Sequence, residues 1–285
     1  MQLSINKLFT GGNRMTIYKA LTLAGSDSSG GAGLQADLKT FEERNVYGMS
    51  AITTLVAMDP HNNWHHQVFP IDIETIKAQL ETIVVGVGIN AMKTGMLGSI
   101  EIIELAAETI AKHNIQHVVV DPVMVCKGAD EALHPEIDEA LGKILVPKAT
   151  VVTPNLFEAA QLAGMKPITT IEQMEEAARK IHSYGAKYVL VKGGSKIQHE
   201  KAVDVLFDGE TIELLESDRI ETTYTHGAGC TYSAAIAAEL AKGAEPKEAI
   251  YTAKKFITEA IRHSFPLNEY VGPTNHMAYR LYGEK

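Results

Sequence analysis

The segment HGAGC, residues 226–230, sets two glycines and an alanine between a histidine and a cysteine, and the helix formers TYSAAIAAELAK follow at once. Gly227 and Gly229 suit a tight turn. A turn that opens a helix points free backbone N–H groups, backed by the positive end of the helix dipole, at whatever lies above it. That is an anion site. Cys230 would stand in the first turn of this helix, where the same field lowers a thiol's pKa and favours the reactive thiolate. The plainer alternatives are a simple connector and a small buried hydrophobe.

Other polar residues could complete such a site. Lys192 in VKGG is a cation, or a solvated strand end. Asp121, before Pro122, is a carboxylate able to reach Mg²⁺, or a turn residue. TPNLFE carries Asn155 and Glu158 three apart at a helix start. That spacing makes a capping box, yet it also places a carboxylate where it could hold the water shell of Mg²⁺. His226 caps a loop or takes part in chemistry. Together these are the parts of a phosphoryl-transfer site: an anion cradle, a cation, carboxylates and a base near an acceptor hydroxyl. Such transfer is mostly positioning and charge neutralisation. His226 with Cys230 would also suit a thiol hydrolase, which has no use for TPNLFE or for a lysine near an anion cradle. Three familiar signatures are missing: no G-x-x-x-x-G-K-[ST] occurs, GSDSSGGAG does not fit G-x-G-x-x-G, and nothing matches the protein-kinase set.

The elements that must hold these groups alternate along the chain. YKALTLA, SAITTLVAM, INAMKTGML, QHVVVD, ATVVT and KYVLVK read as apolar strands, separated by helical segments such as LQADLKTFEERN and SIEIIELAAETIAKHN. Continuous apolar strands between helices mean a parallel sheet covered on both faces. AVDVLFDGETIELLESDRI, with Asp-Gly at its middle, reads as an inserted β-hairpin. ETTYT reads as a last strand before the Gly-rich turn, Gly243 ends the helix that follows, and Pro246 starts another. The expected fold is one doubly wound, mostly parallel α/β domain over residues 15–285. Residues 1–14 read as an unstructured leader, with Met15 the natural start. In such sheets ligands bind beyond the carboxyl ends of the strands. Asp27, Asp121, Asn155, Lys192 to Gly194, and His226 to Cys230 all fall there. Met58, Met92 and Met96 read as core or pocket wall.

Composition narrows the partners. The formal net charge of −9 argues against nucleic acid or an anionic membrane surface. Two cysteines, Cys126 and Cys230, are too few for a disulfide framework and suit a reducing cytoplasm. No apolar run approaches transmembrane length.

AGSDSSGGAG, KTGML, DPVMV, TPNLFE, VKGG and GAGCT, in that order, resemble the ribokinase superfamily, over nearly the whole chain. Within it the chain is similar to the branch of hydroxymethylpyrimidine kinases and the related bacterial pyridoxal kinases. The resemblance implies a ribokinase-like domain, usually dimeric, that uses ATP and Mg²⁺. It implies that Gly227, Ala228 and Gly229 form the anion hole and that Cys230 replaces the superfamily's usual aspartate base. Asn155 and Lys192 would meet ATP phosphates, and Glu158, with Asp121 nearby, would organise Mg²⁺. Gly193, Gly194, Ser195, Lys196, Asp204 and Lys254 would border the nucleotide. Asp27, Met58, Met96 and Val123 would wall the acceptor pocket. Hydroxymethylpyrimidine kinases usually carry Gln where this chain has Met58. Cys126, with His226, resembles the Cys–His pair of the pyridoxal-kinase subfamily. These differences favour pyridoxal as acceptor, with hydroxymethylpyrimidine or its phosphate as the alternative. A non-catalytic vitamin-binding protein would have no need of every catalytic position.

Overall fold

A valine placed in a strand buries one neighbour on each face, and three short valine runs form the middle of this protein. Val118 and Val120 point to one side of the sheet and Val119 to the other, while Val189 and Val191 oppose Leu190 in the same way. The computed structural model describes residues 16–124 and 135–283, so Cys126 lies outside the described residues.

Nine strands share one sheet in the order β3-β2-β1-β4-β5-β6-β7-β8-β9. They are β1 (Lys19–Asp27), β2 (Tyr47–Asp59), β3 (His65–Pro70), β4 (Ala91–Thr94), β5 (Val118–Val120), β6 (Val151–Val152), β7 (Tyr188–Gly194), β8 (Ala202–Phe207) and β9 (Ile212–Ser217). The six from β2 to β7 run parallel, and β3, β8 and β9 are antiparallel additions at the two edges. The expected mostly parallel, doubly wound sheet is therefore present, and Asp208-Gly209 turns the expected hairpin between β8 and β9. The β2–β3 hairpin was not anticipated. Its tip holds Asn63 and Trp64 at positive φ, without the Gly-containing pair that would announce such a turn.

Helices α1 (Gly33–Glu43), α2 (Ile73–Leu80), α3 (Ile100–Lys112), α4 (Pro135–Ala140), α5 (Leu156–Leu162), α6 (Ile171–His182), α7 (Ala228–Ala241), α8 (Pro246–Arg262) and α9 (Ala278–Tyr282) cover the sheet. One apolar core lies between the sheet and α2, α3 and α6; the other lies under α7 and α8. From Thr231 onward α7 is wholly buried, and its alanines let it pack close to the strands. Only its first residues, 228–230, emerge at the carboxyl edge of the sheet. Gly243, at φ +89°, follows its end. Strand order reverses between β1 and β4, so a crevice opens there above the strand ends.

ETTYT is not a strand. Thr225 N donates to Thr223 O, Tyr224 N to Thr222 Oγ1, and Thr222 N to Ile220 O. Hydroxyl side chains that bond nearby backbone compete with strand pairing, and Thr222 Oγ1 does so here by accepting from Tyr224 N. The Gly-rich turn is thus entered from an irregular segment, and His226 is tied to Pro273 by a single bridge.

Candidate active site

Two glycine loops meet back to back at the crevice. A Cβ on Gly227 would lie 1.9 Å from Gly31 O, and one on Gly33 would lie 2.4 Å from Gly25 O. Both glycines hold positive φ, +74° and +57°. No side chain fits either position: Gly33 folds the SSGGAG loop back on β1, and Gly227 lays the turn that opens α7 directly against that loop at Gly31 and Ala32.

Asp27 locks this junction. Its carboxylate accepts from Ser29 N and Oγ, from Ala32 N at 2.8 Å, and from His226 Nε2 at 2.8 Å. An ionised carboxylate only accepts, so His226 carries its proton on Nε2. Burial works against the charge on Asp27, but the bonds from His226 and Ser29 bring its pKa down to about 2. Asp27 was expected as a pocket wall; both of its oxygens are committed to holding the loop and His226. His226 thus pairs with Asp27 among the described residues, while its expected pairing with Cys126 lies outside them.

Above the junction α7 begins. Ala228 N donates to Thr225 O at 3.1 Å, so this amide closes the turn. The amides of Gly227, Gly229 and Cys230 have no acceptor among the described residues. These three donors at the positive end of a 14-residue helix make the anion cradle, which keeps Gly227 and Gly229 of the expected set and has Cys230 in place of Ala228. A Cβ on Gly229 would lie 3.2 Å from Lys192 Nζ, so the ammonium stands over the cradle. Burial opposes the charge on Lys192, but Asp121 and Glu158 raise its pKa above the ordinary value.

Asp121 is buried at the end of β5 and takes Lys192 Nζ at 3.0 Å, Thr153 Oγ1 at 3.2 Å and Ser233 Oγ at 3.1 Å. Burial pushes its pKa up, but Lys192 and Lys93 outweigh this and hold it below the ordinary range. With both oxygens engaged, Asp121 serves as the counter-ion that aims Lys192. Glu158 is different. The capping box is real: Asn155 Oδ1 accepts from Phe157 N and Glu158 N, and Asn155 N donates to Glu158 Oε2 at 2.8 Å. Glu158 Oε1 and Asn155 Nδ2 remain without a partner among the described residues. Burial, opposed by Lys192 and reinforced by Asp121, pushes the Glu158 carboxyl up to about 8. The capping reading and the ligand reading of TPNLFE are both open to the same two residues.

Beyond β7 the residues expected at the nucleotide hold one another. Asp204 accepts from Gly194 N at 3.2 Å and from Lys254 Nζ at 2.6 Å. Gly193 presses on β8, with a Cβ position 2.5 Å from Val203 O. Ser195 O accepts from Arg219 Nη2 at 2.7 Å, and Lys196 N donates to Gly193 O. Arg219 also reaches the carbonyls of Ile197 and His199 and so ties down the loop after β7; no motif pointed to it. Met92 is fully buried core, whereas Met58, Met96 and Val123 are half-buried near the strand ends.

Cys230 departs from expectation. Burial pushes its thiol up to about 11, with Lys93 pulling against it and Asp37 and Asp121 adding to it. The helix field was expected to lower the pKa, but loss of water around the sulfur is the larger effect.

A family model described as Phosphomethylpyrimidine kinase matches residues 27–275. The chain belongs to that kinase family. It is similar to a pyridoxine kinase of Bacillus subtilis (strain 168), with 67% identity over 267 residues, 94% of this chain and 98% of that one. It is 40% identical over 266 residues to a hydroxymethylpyrimidine/phosphomethylpyrimidine kinase of the same organism, covering 93% and 97% of the two chains. Among solved structures, the pyridoxal kinase from Staphylococcus aureus in complex with AMP-PCP and pyridoxal matches with a TM-score of 0.89 at 47% identity, over 94% of this chain and 96% of that one.

Members of a phosphoryl-transferring family need the cradle, cation and carboxylate that meet here from β5, β7, α5 and α7. Among the described residues no group of three or more His, Cys, Asp or Glu side chains could hold a metal ion unaided. A hard cation would instead have to arrive with phosphate oxygens and take one further carboxylate, a donor set that Glu158 Oε1 fits. Among the described residues no helix is long and apolar enough to cross a membrane.

Proposed function

We propose that this protein transfers the γ-phosphoryl group of ATP to the 5′-hydroxymethyl group of pyridoxal, and of pyridoxine and pyridoxamine, as a vitamin B6 salvage kinase. The observation that carries the reading is the cradle of Gly227, Gly229 and Cys230 amides with Lys192 Nζ standing over it, in a chain 67% identical to a pyridoxine kinase. The cradle and Lys192 neutralise charge on the transferring group, which accounts for most of the catalysis such sites supply. Cys230, in the first helical turn beside it, takes the proton of the attacking hydroxyl as the O–P bond forms and ADP leaves. With a pKa of about 11 the free thiol is ionised in roughly one molecule in 10⁴ at neutral pH. That minority thiolate is a correspondingly strong base.

Mg²⁺, when bound with the nucleotide, neutralises its phosphates, and Glu158 is the residue placed to hold its water shell. Asp27 and His226 keep the acceptor loop against α7. Cys126 supplies a thiol that can add to the aldehyde of pyridoxal as a hemithioacetal, a bond pyridoxine cannot form. We infer a cytoplasmic homodimer; Leu55 and Phe69, paired across β2 and β3 and both exposed, offer an apolar face for a second copy.

Hydroxymethylpyrimidine is the second reading. Met58, half-buried on β2, has no amide to pair with a pyrimidine ring nitrogen and amine, and a site lacking that bond discriminates poorly for it. ATP consumption measured side by side with pyridoxal, pyridoxine and hydroxymethylpyrimidine tests the reading. A higher kcat/KM for pyridoxal is expected; a higher value for the pyrimidine would overturn it.

A further inference from the structure

The segment 272–276, which carries none of the roles described above, reaches the cradle on both of its flanks. Upstream it lies along residue 226. His226 N donates to Gly272 O at 3.1 Å, Thr274 N donates to His226 O at 3.2 Å, and Pro273 bridges to His226 between them. Downstream it meets Thr231, the residue after Cys230. Thr231 Oγ1 lies 3.2 Å from Thr274 Oγ1 and 3.1 Å from His276 Nε2. Residues 227–230, which carry the three cradle amides, are thus suspended between two attachments to one short segment.

That segment is itself fixed. Asn275 N donates to Ala260 O of α8 at 2.9 Å, and Phe265 N to Pro273 O at 3.4 Å. Pro273 also stands against the acceptor loop, its Cβ 3.1 Å from where a Cβ on Gly31 would lie. Thr231, Thr274 and His276 are all buried. A buried polar group that loses its partner costs more than the bond itself returns, so these three hold one another in register. Burial, with Lys39 adding to it, brings the His276 pKa down to about 4, so at neutral pH the ring is uncharged and carries one N–H. In either tautomer the Thr231 hydroxyl can donate to one neighbour and accept from the other. His276 Nδ1 has no hydrogen-bond partner among the described residues, so the ring holds α7 through Nε2.

The first turn of α7 depends on that hold. Thr231 N donates to Gly227 O at 2.8 Å and closes the turn, so a shift of Thr231 carries the cradle with it. Preorganised donors serve a developing charge only while they keep their place. We propose that His276 is a positioning residue: through Thr231 it fixes the downstream flank of the cradle, as residues 272–274 fix the upstream flank at His226. Its use rests on the cradle receiving the transferring phosphoryl group.

A double-mutant cycle read by steady-state kinetics tests this. His276→Met fills the site without a hydrogen bond, and Thr231→Val removes the hydroxyl but keeps the volume. Each should lower kcat about tenfold, the effect of a buried polar group left unpaired, with the KM for ATP near its wild-type value. The double variant should lose no more than either single one, because both break the same contact. His276→Gln places an amide where Nε2 stands and should restore most of kcat; His276→Asn, whose amide stands at Nδ1, should not. A side chain that only filled space would be replaced by Met as well as by Gln. Additive losses, or equal kcat in His276→Met and His276→Gln, overturn the proposal. If His276→Met does not fold, as judged by circular dichroism, Thr231→Val against Thr231→Ser decides: serine keeps the hydroxyl and should keep kcat, and equal kcat in the two overturns the proposal. Gly227→Ala, run alongside, reads the cradle by itself. Normal turnover there sinks the cradle and the use of the brace with it, whereas a loss there with none at His276 overturns the brace alone.

Discussion

Gly227→Ala is the substitution for which the structure makes the strongest demand. The new Cβ would begin 1.9 Å from Gly31 O, a backbone atom held by its own loop. Ordinary carbon–oxygen contact requires an opening of about 1.5 Å between the two glycine loops. The residue would also keep φ +74°, which for a non-glycine residue costs about 1–2 kcal/mol. Because Asp27 binds the first loop to His226, neither side can yield without breaking that contact. A 1 Å displacement of catalytic groups typically costs about 10²-fold, so kcat/KM should fall by at least that much. Gly229→Ala is the matched control. Its Cβ would meet only Lys192 Nζ, at 3.2 Å, the far end of a flexible side chain, and its φ lies outside the left-handed region. It should keep its melting temperature and lose less than about tenfold, since alanine also suits a helix better than glycine. Coupled-enzyme ADP assays at saturating ATP, with melting curves for both variants, decide the matter. Near-normal activity in Gly227→Ala, or equal losses in the two, would refute the loop-on-loop account.

Other expected outcomes follow from single residues. Cys230→Ala should lower kcat about 10²–10⁴-fold for every acceptor with nucleotide affinity close to wild type, as measured by turnover and ADP titration. In the parent enzyme, log kcat/KM should climb with pH from 7 to 9, because a base whose conjugate acid titrates near 11 gains ionised form throughout that window; a flat profile would remove the thiolate from the mechanism. Glu158→Gln can still accept from Asn155 N, so its melting temperature should hold while activity drops and recovers in part with added Mg²⁺. The Glu158 pKa is raised in the fold, so its contribution to stability is full below the ordinary carboxylate range and fades as pH rises through about 8; denaturation midpoints for Glu158→Gln should lack that decline. Cys126→Ala should reduce kcat/KM for pyridoxal and leave pyridoxine nearly unchanged, with equal losses counting against an aldehyde adduct.

Local chemistry was legible along the chain. Two-faced burial shows in the valine runs of β5, β6 and β7, the Asp-Gly pair marks the β8–β9 turn, and GAGC followed by alanines announces α7 and its cradle. Asn155 and Glu158 form the capping box that their spacing describes. These features depend on neighbours within a few residues, and backbone sterics and hydrogen bonding act over that range. The seating of His226 on Asp27 joins residues 199 apart. Lys93 meets Asp37 across 56 positions, and nothing near either residue foretells the other. ETTYT has the composition of a strand, yet its backbone is taken up by short-range turn bonds within the segment. The thiol shows the division most sharply. A cysteine at a helix start reads as an acidified nucleophile because the helix field is a local property. The water lost around its sulfur depends on how the whole chain packs, and only the tertiary structure made burial the larger effect.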